Sequence, residues 1–164
     1  MPAFPASRDA KNAKGWRYKT SSQFKGDVTM RKYELPEFLT NVVSQGDYEM
    51  WLHRKAVAHV RRDRGRGRAG AKNEDYKVAI HRAVTDSKGR DAYTGEPLDW
   101  KLIRQWSNAE AEARGVEYKN TFALLPSVDH VFGGELQPCF KICSWRTNDA
   151  KSDLKYAEFL KLCE

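Results

Sequence analysis

The most constraining feature of this chain is a short apolar run, a glycine turn and an alternating pentapeptide, in that order. FALLPSVDHV at residues 122–131 is apolar until it meets the polar pair Asp129-His130. Residues 132–135, Phe-Gly-Gly-Glu, read as a turn. FKICS at 140–144 alternates apolar and polar, the two-residue period of a half-buried strand. Thr147-Asn148-Asp149 then suits a helix start, with helix expected from Ala150 onward. Leu154, Ala157, Leu160 and Leu162 would give that helix its apolar side. Two short strands do not bury a core by themselves. Helices earlier in the chain must therefore pack against them.

Those helices are legible in outline. Residues 1–30 mix Pro, Gly, Ser and Lys without period and read as an extended arm. Leu35-Pro36-Glu37 fits a helix start with Pro in the first turn, placing Phe38, Val42 and Val43 on one face. Gly46-Asp47 breaks this segment, and Asp47 is the expected N-cap of a longer helix over 48–64. In that helix Trp51, Leu52 and Ala58 should face inward. Lys55, Arg61, Arg62 and Arg64 should point outward or toward a ligand, and Gly65, Gly67 and Gly70 should end it. Asn73-Glu74-Asp75 opens another helix, with acids where the dipole favours them. Tyr76, Ile80 and Val84 fall on one face of it. A turn at 94–97, a short helix after it, and a helical piece over 109–114 ending at Gly115 lead into the apolar run. The expected fold class is α+β and mostly helical. Residues 1–89 form a basic helical region with an extended arm, 90–164 carry the hairpin and last helix, and the two make one compact unit.

The formal charge of +7 is not spread evenly. Residues 53–72, HRKAVAHVRRDRGRGRAGAK, hold eight Lys or Arg against one Asp, and the remaining residues balance at 21 of each sign. One segment carries the entire excess, the pattern of attraction to a polyanion. Arg61, Arg62, Arg64, Arg66 and Arg68 crowd one short window, partly on a helix and partly on a Gly-spaced loop, and Lys55 precedes them. Such a loop is expected to contact phosphates, which position a nucleic acid without choosing its sequence. Three cysteines with no Cys-x-x-Cys pair exclude a disulfide framework. No run approaches the roughly 20 apolar residues of a membrane span, and the first residues lack the apolar stretch of a secretory signal. A cytoplasmic, reducing location and no membrane partner are the expectation.

SVDHV followed by FKICSWRTNDAKSDL resembles the HNH nuclease family, whose core is the ββα-metal finger. Asp129-His130 and the stretch from Asn148 to Asp153 carry the resemblance, and TGEPL at 94–98 is similar to the turn that often precedes the finger. It covers about residues 90–164. The resemblance implies metal-dependent hydrolysis of a phosphodiester, with double-stranded DNA as the partner and the finger beside the backbone from the minor-groove side. Asp129 and Asn148 would hold one divalent cation, Mg²⁺ or Mn²⁺, which prefers oxygen ligands and keeps several waters. His130, facing the other side of an extended backbone, would be the general base, with an ordinary pKa near 6.5. Lys151 and Arg146 would contact phosphate or support Asp129.

One position departs from the family. Its second Asn, which helps hold the finger loop, falls here near Pro138 or Cys139, so the middle residue is open. A backbone carbonyl is the expected substitute. A structural zinc is not expected: Cys139 and Cys143 lie about 13 Å apart on an extended strand at ~3.3 Å per residue, too far to share an ion. Cys143 and Cys163 should instead pack the finger against the last helix. Two other readings stay open: a non-catalytic nucleic-acid binder on a decayed scaffold, and a ribonuclease or toxin built on the same finger.

Overall fold

A computed structural model describes residues 32–131 and 138–163. The expected arm at 1–30 and the turn at 132–135 lie outside the described residues. The protein is α+β and mostly helical. Helix α1 is Gln45–Gly65 and α2 is Asn73–Ser87. A 3-10 helix, Trp100–Arg104, and α3, Asn108–Thr121, lead to β1, Pro126–His130. β2, Phe140–Ser144, pairs antiparallel with β1, with His130 opposite Phe140 and Asp129 opposite Lys141. Helices α4, Trp145–Lys151, and α5, Tyr156–Cys163, follow.

The start of α1 corrects one expectation. Ser44 is the N-cap, its hydroxyl accepting the Asp47 N–H at 3.1 Å, so Asp47 sits one turn inside the helix. Leu35-Pro36-Glu37 opens only a 3-10 turn, Glu37–Leu39, whose Leu39 is fully buried. The inward face of α1 runs Tyr48, Trp51, Leu52, Ala56, His59, Val60 and Asp63. Ala58 is exposed, contrary to expectation, and Lys55 is half-buried with its ammonium 6.0 Å from the Trp51 ring. That stripe mixes polar groups among apolar ones, so hydropathy alone misplaces it.

α2 buries Tyr76, Ile80 and Val84 as their spacing predicts, and adds Ala83. It ends at Lys88 in the left-handed region, followed by Gly89 at φ +80°. A Cβ on Gly89 would lie 3.0 Å from the Phe38 ring, so glycine answers both the turn and the close packing. α3 breaks at Gly115, as read from sequence, but resumes to Thr121. α4 starts two residues before the expected Thr147, capped by Ser144, whose hydroxyl accepts the Thr147 N–H at 3.1 Å. It stops at Lys151 because Ser152 takes φ +48°. α5 then buries Phe159, while Ala157, Leu162 and Cys163 are exposed. Cys163 is therefore outside the core; Cys143 is the buried one.

One hydrophobic cluster runs from Leu39 to Ile142. α1 packs on α2, and α2 packs on β2, so the hairpin rests on the helical layer that carries the basic segment. Asp91 ties the turn at 91–95 to β2. Its buried carboxylate accepts the backbone N–H groups of Tyr93 and Ser144, both at 2.8 Å, and that of Thr94 at 3.3 Å. No helix among the described residues is long and apolar enough to cross a membrane.

Candidate active site

β1 sends Ser127 and Asp129 to one face and Val128 and His130 to the other, and all five of its residues are buried. Asp129 and His130 nevertheless both line one cleft of about 480 Å³. α4 contributes Asn148 and Lys151 to the same cleft, the preceding turn contributes Tyr93, and the end of α1 contributes Arg62 and Arg66.

Asp129 is held from two sides. One carboxylate oxygen accepts the Tyr93 hydroxyl, and the other lies 3.3 Å from the Lys151 ammonium. Burial, then the Asp129 hydrogen bond, push the Tyr93 phenol well above its ordinary range, so it remains a donor. The Asp129 and Lys151 side chains are only 6% and 7% exposed, which makes this a buried ion pair. Removing one partner of such a pair leaves an uncompensated charge. Asn148 donates its amide N–H to Ser127 Oγ at 3.0 Å, which fixes the amide and leaves its oxygen as an acceptor.

His130 packs against Phe140, ring centroids 5.2 Å apart, and against His59 at 6.3 Å. Burial is the largest influence on it and lowers its pKa. Asp63 opposes this, and Arg62 and Arg68 reinforce it. His130 is thus neutral at pH 7, the form that accepts a proton. Its Nδ1 lies 3.7 Å from Asp63 Oδ1. His59, whose Nδ1 accepts from Arg62 at 2.9 Å, is driven down to about 3 by burial first and by Arg62 and Lys55 next.

The basic segment divides. Arg62 and Arg66 reach the cleft, Arg66 lying 4.0 Å from Asp153 at its rim. Arg64 turns back and donates twice to the Ala71 carbonyl, at 2.7 and 3.1 Å, which closes the loop. Arg61 is exposed, and Arg68 is half-buried beside Tyr76, whose phenol it pulls down against the larger effects of burial and Asp63. Arg146 is not at the cleft. It pairs with Glu96 on the surface, where the turn at 94–97 meets α4. Cys139 has an exposed side chain, and its carbonyl accepts the Val131 N–H at 3.0 Å, which extends the hairpin ladder.

The donor set suits a hard divalent cation: one carboxylate and one amide oxygen bordering a cleft with room for water. Among the described residues no three His, Cys, Asp or Glu side chains cluster as a metal-binding group. A cation here would rest on Asp129, Asn148 and water, in competition with Lys151. Two residues at the site escape sequence reasoning. Tyr93 lies 36 positions from Asp129. Asp63 had one signal, as the only acid within residues 53–72. Compared with known proteins, the chain matches no family model, no curated protein and no solved structure.

Proposed function

We propose that the chain is a metal-dependent DNA endonuclease of the HNH type, with β1, β2 and α4 as its ββα-metal finger. The observation that carries the reading is convergence. Asp129, His130 and Asn148 meet in one cleft, and Arg62 and Arg66 of the basic segment stand at the same cleft. His130, kept neutral by burial, takes the proton of the attacking water. Asp129 and Asn148 hold Mg²⁺ or Mn²⁺, which when bound stabilises charge on the phosphate oxygens. Arg62 and Arg66 bind flanking phosphates, and Tyr93 steadies Asp129. Lys151 supplies positive charge beside Asp129.

That last contact also favours a second reading, a nucleic-acid binder without catalysis, because Lys151 already neutralises the carboxylate. A supercoiled plasmid incubated with the protein in Mg²⁺, Mn²⁺ or EDTA separates the two. Nicked or linear product with metal, and none in EDTA or with His130→Ala, is the expected result. Retained DNA binding without product in any metal selects the binder, and product from RNA alone selects the ribonuclease.

A further inference from the structure

The family that the finger resembles uses a side chain on the second strand to help hold the loop beside its histidine. Here, where Pro138 and Cys139 stand, the Cys139 side chain is exposed and its carbonyl accepts the Val131 N–H. The base still needs a fixed orientation, because a general base acts only from within hydrogen-bond reach of its proton. An acid on another element faces it. Asp63 lies in the last turn of α1 and is 2% exposed. Its Oδ2 accepts the Tyr76 hydroxyl. Its Oδ1 lies 3.7 Å from His130 Nδ1, with Arg62 Nε 3.8 Å from the same oxygen.

We propose that Asp63 is the positioning residue of His130, holding the imidazole with its proton on Nδ1 and turning the Nε2 lone pair toward the cleft. A carboxylate oxygen accepts hydrogen bonds, so a ring nitrogen that bonds to it is the one bearing hydrogen. Nδ1 is fully buried; Nε2 is the ring nitrogen on the opposite edge of an imidazole that lines the cleft. The 3.7 Å separation is longer than a hydrogen bond, and pairings of this kind tighten when substrate binds. Tyr76 fixes the carboxylate, as outer groups do for the imidazoles they orient. Asp63 thus links the basic helix to the chemistry, and the only acid in a segment otherwise made for phosphate acquires a purpose. The consequence for cleavage rests on the nuclease reading; the ring's tautomer does not.

The test uses the full chain labelled with ¹⁵N-histidine, metal-free, at pH 8. Long-range ¹H–¹⁵N correlation reads the tautomer of each imidazole, and the His130 signal is identified by its loss in His130→Ala. His130 is expected as Nδ1–H in the parent and in Tyr76→Phe. Asp63→Asn presents an amide donor and should move the proton to Nε2. In that variant turnover at saturating DNA should fall about tenfold or more, with KM within about twofold, and Asp63→Glu should recover part of the loss. An Nε2–H tautomer in the parent overturns the proposal without reference to any variant. So does an unchanged tautomer, or turnover within about twofold of the parent, in Asp63→Asn. If the parent cuts no nucleic acid in any metal, the nuclease reading falls, and the parent tautomer still decides what Asp63 does.

Discussion

The finger and the basic segment use charge in opposite ways. In the finger, Asp129, His130 and Lys151 are each less than a tenth exposed and sit within a packed hairpin and helix. In the basic segment, Arg61, Arg62, Arg64 and Arg66 are exposed, and of its charged residues only Asp63 is buried. Buried charge is costly unless every partner is in place, so each finger residue has one geometry and little tolerance. Exposed charge is cheap, screened by salt and tolerant of substitution. Chemistry that needs atoms placed to a few tenths of an ångström belongs in the first setting. Attraction to a repeating phosphate backbone belongs in the second.

The sharpest way to break this contrast is His130→Ala. It should lower cleavage by about 10²–10⁴-fold and leave DNA affinity near that of the parent, as measured by plasmid nicking beside a filter-binding titration. Cleavage within about twofold of the parent would remove His130 from the chemistry.

Next in size is Lys151→Met. It strands the Asp129 carboxylate, and breaking such a buried pair costs about 3–5 kcal/mol, read as a lower melting temperature in EDTA. Millimolar Mn²⁺ should restore much of the loss, because a cation replaces the missing ammonium. The variant should also bind Mn²⁺ more tightly than the parent by calorimetry. An unchanged melting temperature would mean that the pair contributes nothing to stability.

A smaller effect separates the buried histidines from the exposed arginines. His59 is 8% exposed, and its pKa in the folded protein falls to about 3. The unfolded chain therefore binds this proton first, and acid favours unfolding. The contribution is fully present above the ordinary value of about 6.5 and is lost as pH falls toward the folded value. Between pH 6.5 and 5, above the carboxylate range, stability should drop by about 2 kcal/mol, and His130, lowered in the same direction, adds to it. Denaturant melts of the parent and of His59→Gln give the check: the variant's slope with pH should be shallower.

The smallest expected effect lies in the exposed segment. Arg62→Gln with Arg66→Gln should weaken binding to all duplexes alike. The slope of log affinity against log salt should fall by about 1.8, near 0.9 for each phosphate that is no longer neutralised. Arg64→Gln should change the slope less, since its guanidinium is spent on the Ala71 carbonyl. Equal effects from the cleft pair and from Arg64 would show that the segment acts as a diffuse charge with no preferred members.

What could be read from sequence follows the range of the interactions. The face of α2 was legible because Tyr76, Ile80 and Val84 repeat at helical spacing. Asp129, His130, Asn148 and Lys151 could be grouped because one hairpin and one helix bring them together over a short stretch, and the structure places all four in one cleft. Sequence alone does not fix the start of α1, because Ser44 and Asp47 are both good caps, and only the hydrogen bond between them decides which one caps. Asp63 and Tyr93 stayed hidden because each meets its partner through tertiary packing. Arg146 looked like a cleft residue from its neighbours in sequence, and a pairing with Glu96, 50 positions away, turns it elsewhere.

The three backbone hydrogen bonds accepted by Asp91 carry a consequence in time. Two of its donors, Tyr93 and Thr94, are available as soon as the turn exists, while the third, Ser144, lies 53 positions later. During synthesis the turn can therefore close around Asp91 well before β2 has left the ribosome, and Tyr93 then waits for Asp129. Asn148 and Lys151 come later still. Asp129, His130 and Asn148 come together in the cleft only after α4 has been made and docked. On the nuclease reading, the cleft is complete only after that step. Asp91→Ala should lengthen that step more than it alters any contact inside the finished cleft.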